Sequence, residues 1–393
     1  MTDPAPQTPI RIQTLDVLRG LAVLGILAVN IPAFSLPLMA ELMPGQVSFA
    51  TAPGAGTAQW FTDVFFMQKF VTLFSMLFGI SLFLVGGEKD DPVRSPLLKR
   101  RLGWLALFGL LHGLVFWYGD ILLLYAWTGF LMSLMRSWPA KRLILIGAGI
   151  TFVLGFGQAI SALMSSEPAD LSDIFSSQAV ANSLAAYQSG FPGYFIENLK
   201  AWGITQGFSL FVYTVPTLGL MMLGLGLFKA GFFHARLPLK LYWGLIAAGA
   251  VTLTVLGALQ GIEKAAGPDM NATRGWAMAV LSFPALITLG YASALILLTS
   301  RLPLIRKVLA PVGQMAVTNY LTQTLIMTTI FYLPWGPRLI GQVDYAQMWA
   351  FVGAVWLLQL IWSPIWLKHF RMGPFEWVWR CLTNRQRLPL RRV

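Results

Sequence analysis

Apolar residues run along this chain in stretches of about twenty, separated by short polar or basic segments. Runs of that length cross a ~30 Å hydrocarbon core as helices. Ten such spans are predicted, at roughly 15–36, 60–86, 99–118, 120–136, 141–163, 203–229, 238–260, 276–300, 307–333 and 346–368. The third and fourth are joined by a tight turn near Gly119. Pro216 and Pro284 lie inside the sixth and eighth and should kink them, because each removes a backbone donor. The expected fold is an all-α, polytopic membrane helix bundle forming one domain over 11–368. A Pro-rich, disordered stretch at 1–10 precedes it, and a basic cytoplasmic tail at 369–393 follows. The longest external segment, about 164–202, holds Phe191, Tyr194, Phe195 and Trp202, aromatics suited to headgroup depth.

Composition agrees with this pattern. The chain is 56% hydrophobic and 11% charged, with mean hydropathy +0.66, whereas a soluble chain carries about 25% charged residues. A net charge of +12 could suggest nucleic acid, but its distribution argues against that partner. With the N-terminus inside, 23 of the 28 Lys and Arg fall in cytoplasmic segments. Lys69, Lys200, Lys264, Arg274 and Arg338 are the exceptions. That alternation is the positive-inside rule, and it predicts both termini in the cytoplasm. The same charge could also attract anionic membrane lipids or a phosphorylated cytosolic substrate. Cys381 is the sole cysteine, so no internal disulfide forms. The first span is too long and too polar on one face for a cleaved signal peptide, and it is read as retained.

The first span, RIQTLDVLRGLAVLGILAVN at 11–30, carries a polar stripe. At about 100° per residue, Arg19 and Asn30 point nearly the same way, with Asp16 within roughly 60° of both. Such groups are costly in hydrocarbon and should face the bundle interior or a wet cavity. Asp16 and Arg19, one turn apart, could also pair with each other. His112 is the one histidine within a span, and Asp120 opens the next helix after GLVFWYGD. An imidazole beside a carboxylate suits a general base. The plainer alternative is a core histidine bonded to a carbonyl, with Asp120 capping a helix. Gly109 and Gly113 flank His112 and admit another helix. Asn30 stands about 16 Å above Arg19, and His112 a similar height above Arg101, so both can share one level.

Other polar positions have two readings each. Lys69 either snorkels to the outer interface or lines a cavity. Asn319, Thr322 and Gln323 share one helix face and either bind helices together or hold a substrate. The triplet Lys99, Arg100 and Arg101 anchors topology, or receives the phosphates of an acyl-donor nucleotide. No P-loop, GxGxxG, GxSxG or zinc-ligand spacing appears, and no bound metal is expected.

RIQTLDVLRGLAVLGILAVNI at 11–31, QKFVTLFSMLFGISLFL at 68–84 and RRLGWLALFGLLHGLVFWYGDILLLYAWTG at 100–129 resemble the YeiB family of bacterial membrane proteins. VGQMAVTNYLTQTLI at 312–326 and FRMGPFEWVWRCLT at 370–383 resemble its C-terminal part, from about residue 220, the domain of unknown function numbered 418. The first-span pattern is also similar to a wider group of transmembrane acyltransferases that includes heparan-α-glucosaminide N-acetyltransferase. That similarity implies transfer of an acyl group from cytoplasmic acyl-CoA, acetyl-CoA included, to an acceptor hydroxyl or amine across the membrane. It points to Asn30, while His112 and Asp120 match the family's H-to-GDIL stretch. The expected enzyme has His112, Asp120 and Asn30 as its catalytic group, and Arg19, Lys99, Arg100 and Arg101 holding the donor. Asp16, Lys69, Asn319 and Gln323 would line the cavity. The rival expectation is a transporter or flippase using the same residues as a proton or substrate path. Identity of the acceptor and homo-oligomerisation stay open.

Overall fold

The computed structural model describes residues 13–42, 52–164, 176–266 and 271–392. The expected irregular stretch at 1–10, Arg11 and part of the external segment lie outside the described residues. Among the described residues every regular element is helical. The order begins α1 (Gln13–Ser35), α2 (Leu38–Leu42), α3 (Ala55–Phe65), α4 (Lys69–Gly86), α5 (Arg94–Val115) and α6 (Leu122–Met135). It continues α7 (Ala140–Met164), α8 (Ser177–Gln188), α9 (Gly193–Phe208), α10 (Thr214–Lys229), α11 (Leu239–Ala266) and α12 (Asn271–Leu281). It ends α13 (Pro284–Arg301), α14 (Pro303–Gln314), α15 (Ala316–Phe331), α16 (Tyr345–His369) and α17 (Pro374–Asn384).

Among the described residues, seven segments are long and apolar enough to cross a membrane: α1, α3–α4, α7, α9–α10, α11, α13 and α16. The other expected spans correspond to helices that are shorter or more broken. α6 has 14 residues, α5 is basic at its foot, and the span expected at 307–333 is divided into α14 and α15 at Met315.

Each interruption has a local cause. Pro216 has no N–H, and its ring presses on the turn before it, where the backbone widens into a π-helical segment at Ser209–Tyr213. Pro284 begins α13 after a break at Ser282–Phe283, so the expected kink is a new helix start. Between α3 and α4, Gln68 turns left-handed at φ 62°. The Lys69 ammonium then donates to the Asp63 carbonyl at 2.7 Å, taking up an acceptor near the broken end of α3. Between α14 and α15, the exposed helix start is satisfied by Glu376. Its carboxylate accepts from the Val317 and Thr318 backbone N–H groups at 2.7 and 3.1 Å.

α1 sits at the centre, with 72% of its most apolar stretch buried, against 22% for α7 and 17% for α11. The latter two present Phe152, Val153 and Val251 outward, as helices facing lipid do. α1 packs most closely on α14. A Cβ on Gly313 would stand 1.8 Å from the Asp16 carbonyl, so the backbones touch there.

Candidate functional site

His112 occupies the last full turn of α5, where a helix end and a turn let a carboxylate reach its ring. The Phe116 and Trp117 N–H groups both bond to the His112 carbonyl and close α5. The chain then reverses, and Asp120 arrives beside the imidazole. Asp120 Oδ1 lies 2.8 Å from His112 Nδ1. The same carboxylate accepts from the Leu122 and Leu123 N–H groups at the start of α6, at 3.2 and 2.9 Å. One side chain therefore performs both expected jobs, capping a helix and orienting an imidazole. The flanking glycines make room. A Cβ on Gly109 would meet Leu123 N at 2.4 Å, and one on Gly113 would meet the Trp202 indole nitrogen at 2.2 Å.

The second ring nitrogen meets a residue the sequence did not single out. His112 Nε2 lies 2.9 Å from Thr324 Oγ1 on α15. His112, Asp120 and Thr324 are 4, 3 and 1% exposed. A carboxylate only accepts, so Nδ1 carries the proton and Nε2 accepts from the Thr324 hydroxyl. The rings of Tyr320 and Trp117 pack around the imidazole at 5.4 and 6.3 Å. Thr324 escaped notice because threonines are common in apolar helices, and its partner lies 212 positions away in the sequence.

Asn30 sits half-buried in the C-terminal third of α1. Nearby on α1, the Val23 carbonyl accepts from Gln323, and the Ala33 carbonyl accepts from Trp117. Among the described residues the Asn30 side chain makes no hydrogen bond to His112 or Asp120. On α9, Asn198 donates to the Gly113 carbonyl at 2.9 Å. Its own oxygen, the Trp202 indole nitrogen and both ends of the Gln206 amide are buried without a partner. Outside α9 lies a cleft of about 510 Å³ lined by Met39, Ser183, Tyr187, Glu197, Lys200 and Ile204.

The remaining expected residues fall into three groups. At the foot of α1, Arg19 donates to Asp16 at 3.0 Å and to the Ser81 hydroxyl at 2.9 Å. At the foot of α5, Lys99 is exposed, Arg100 is half-buried, and Arg101 turns toward the C-terminal segment. The Arg101 guanidinium lies 3.7 Å over the Trp379 ring, whose indole N–H donates to the Arg101 carbonyl. Arg19 and Arg380 lie close enough for their charges to act on Arg101, so three arginines from α1, α5 and α17 face one region. Trp379, Arg380 and Glu376 were hidden in what reads as a basic tail. Burial raises the Glu376 carboxyl above its ordinary range, while hydrogen bonds from Thr318 and Val317 oppose that rise.

Lys69 is 1% exposed, and its ammonium is bound to the Asp63 carbonyl. Asn319 and Gln323 belong to a closed network. The Asn319 amide donates to the Val312 carbonyl and to Ser363, and accepts from Trp362. The Gln323 amide donates to the Val23 carbonyl and to Gln359.

Sequence similarity to relatives extends over nearly the whole chain. The chain is 34% identical over 401 residues to the Escherichia coli (strain K12) "Uncharacterized protein YeiB", covering 95% of this chain and 96% of that one. It belongs to the YeiB family. The family model described as "Protein of unknown function (DUF418)" matches residues 227–386. YxaH of Bacillus subtilis (strain 168) is 30% identical over 388 residues, with 95% of this chain and 94% of that one covered. A 39.9 kDa protein in the amylase 3' region of Bacillus acidopullulyticus is 27% identical over 389 residues, covering 97% and 96%. In this YeiB-family chain the site joins both halves: Thr324 and Glu376 lie within the matched domain, whereas His112 and Asp120 precede it.

Proposed function

We propose that the protein is a membrane acyltransferase that moves an acyl group from cytoplasmic acyl-CoA, acetyl-CoA included, to a hydroxyl or amine acceptor on the outer side. The observation that carries the reading is the imidazole of His112, fixed by Asp120 at Nδ1 and facing a hydroxyl at Nε2. A carboxylate that sets the tautomer and stabilises the imidazolium makes a general base. Arg19, Arg101 and Arg380, with Lys99 and Arg100 beside them, supply the donor's phosphate contacts. Asn30 donates to the developing oxyanion, a role worth ~3–4 kcal/mol in comparable sites. The acceptor enters beside α9, where unpartnered polar groups adjoin the His112 turn. The reading places the protein in the inner membrane with ten crossings and both termini inside. α5, α6 and α15 join the seven longer segments as crossings.

Two measurements test it. Purified protein should bind acyl-CoA by calorimetry, more weakly as salt rises, and more weakly again with Lys99, Arg100 and Arg101 changed to Ala. Absence of binding by active protein removes the donor assignment. Reporter fusions after Arg142 and after Ala265 should signal cytoplasmic and external positions, and identical signals contradict the topology. The buried charges of Asp16 and Lys69, with half-buried Arg19 beside Asp16, favour a second reading, a transporter or flippase. Substrate flux into proteoliposomes without consumption of acyl-CoA would select it.

A further inference from the structure

Thr324 does not behave as its neighbours do. Ser and Thr in apolar helices usually turn their hydroxyls back to the carbonyl one turn earlier. Thr322 does so, donating to the Thr318 carbonyl at 2.7 Å, and Ser75 does so to the Val71 carbonyl at 2.8 Å. For Thr324 the corresponding Tyr320 carbonyl is 3.4 Å away, beyond the usual O–H···O range. Its hydroxyl meets His112 Nε2 at 2.9 Å instead. A hydroxyl on a base, with that base oriented by a carboxylate at its other nitrogen, is the arrangement of an activated nucleophile.

We infer that Thr324 is the catalytic nucleophile, carrying the acyl group as an ester between donor and acceptor. The inference rests on the acyl-transfer reading and adds a covalent intermediate to it. In the first half-reaction, Thr324 Oγ attacks the thioester carbonyl carbon and gives its proton to His112 Nε2. The carbon–sulfur bond breaks, and the departing thiolate takes that proton, leaving free CoA and acyl-Thr324. In the second, the acceptor hydroxyl or amine gives a proton to Nε2 and bonds to the acyl carbon. The carbon–Oγ bond breaks, and Oγ recovers the proton. Asp120 keeps its three acceptor bonds throughout and stabilises the imidazolium formed in each half. The Trp202 indole N–H of α9, buried without a partner among the described residues, packs against Gly113 next to His112.

The test requires no knowledge of the acceptor. Purified full-length protein given acetyl-CoA alone should release a burst of about one CoA thiol per chain, because an acyl-enzyme accumulates when nothing removes the acyl group. Peptide mapping should find the added acetyl group on Thr324. Thr324→Ser should retain the burst, and Thr324→Val should lose it, with release reduced about 10²-fold or more. Size-exclusion profiles and donor binding should be unchanged in both variants. p-Nitrophenyl acetate should label Thr324 as well, a readout that does not depend on the CoA part of the donor. A Thr324→Val protein that still consumes acetyl-CoA at the wild-type rate overturns the nucleophile and leaves acyl transfer standing. Labelling of Thr324 by the ester, with no consumption of acetyl-CoA by the wild type, keeps the nucleophile and overturns the donor. No labelling of Thr324 by either reagent overturns the inference itself.

Discussion

α15 carries two buried polar groups barely a turn apart, and they are wired in opposite ways. Around Asn319 and Gln323, side-chain donors and acceptors meet a partner on α1, α14 or α16, so the set closes on itself. Gln359 adds a further bond to the Asn319 carbonyl at 2.8 Å. Around Thr324, a base is held by a carboxylate and faces a hydroxyl, and the adjoining face of α9 keeps unpartnered donors and acceptors. A closed network stabilises helix packing and has nothing left to offer a ligand. The second group retains unused hydrogen-bonding capacity in a dry setting, which is costly unless a substrate or water completes it.

The contrast can be broken by substitution. The largest expected effect is His112→Gln, which can still donate to Asp120 and accept from Thr324 but is no base. It should lower acyl transfer by about 10²–10⁴-fold while leaving thermal stability in detergent within a few degrees of wild type. Equal transfer by the variant would reduce His112 to packing. Next comes Asn319→Leu, which leaves Trp362 and Ser363 without their partner. It should cost about 1–3 kcal/mol of stability, seen as a lower melting temperature with normal turnover per folded molecule. Turnover lost at unchanged stability would move Asn319 into the chemistry. The smallest effect belongs to Thr322→Val, whose hydroxyl bonds only within its own helix. It should alter stability by less than about 0.5 kcal/mol and leave CoA release untouched, in contrast to Thr324→Val, one half-turn along the same helix.

Much of this was legible in the residues, and the limits were specific. Long apolar runs identify helices because lipid forces every backbone group to be satisfied within its own segment. Where a run is broken, the freed groups find partners nearby, as Lys69 and Thr214 bond the Asp63 and Ser209 carbonyls, or far away in sequence. Glu376 at the start of α15 is the clearest case. Hydropathy alone cannot register such a partner. His112 and Asp120 were recognisable because a short turn keeps them together. Thr324 was not, because helix position fixes a direction but not which distant ring will meet it. Asn319 and Gln323 showed their shared face in sequence, but only their partners reveal whether the face is closed. Arg19, Arg101 and Arg380 illustrate the same limit for charge: positive-inside bias explains each basic segment separately, and only folding gathers α1, α5 and α17 around one region.

The α9–α10 segment, with its π-helical turn, spans 37 residues from Gly193 to Lys229, about 55 Å at 1.5 Å per residue. Its C-terminal end is moored, since Lys229 donates to the Arg136 and Trp138 carbonyls at 2.7 and 3.0 Å. Its far end bears Glu197, Lys200 and the wall over the His112 turn. A rod so much longer than the ~30 Å hydrocarbon layer responds to mismatch by tilting. A tilt about the moored end displaces the opposite end most, and with it Trp202, whose indole packs against Gly113 beside His112. A helix that supplies no hydrogen bond to His112, Asp120 or Thr324 is thus the mechanical link between the lipid around the bundle and the packing beside that cluster.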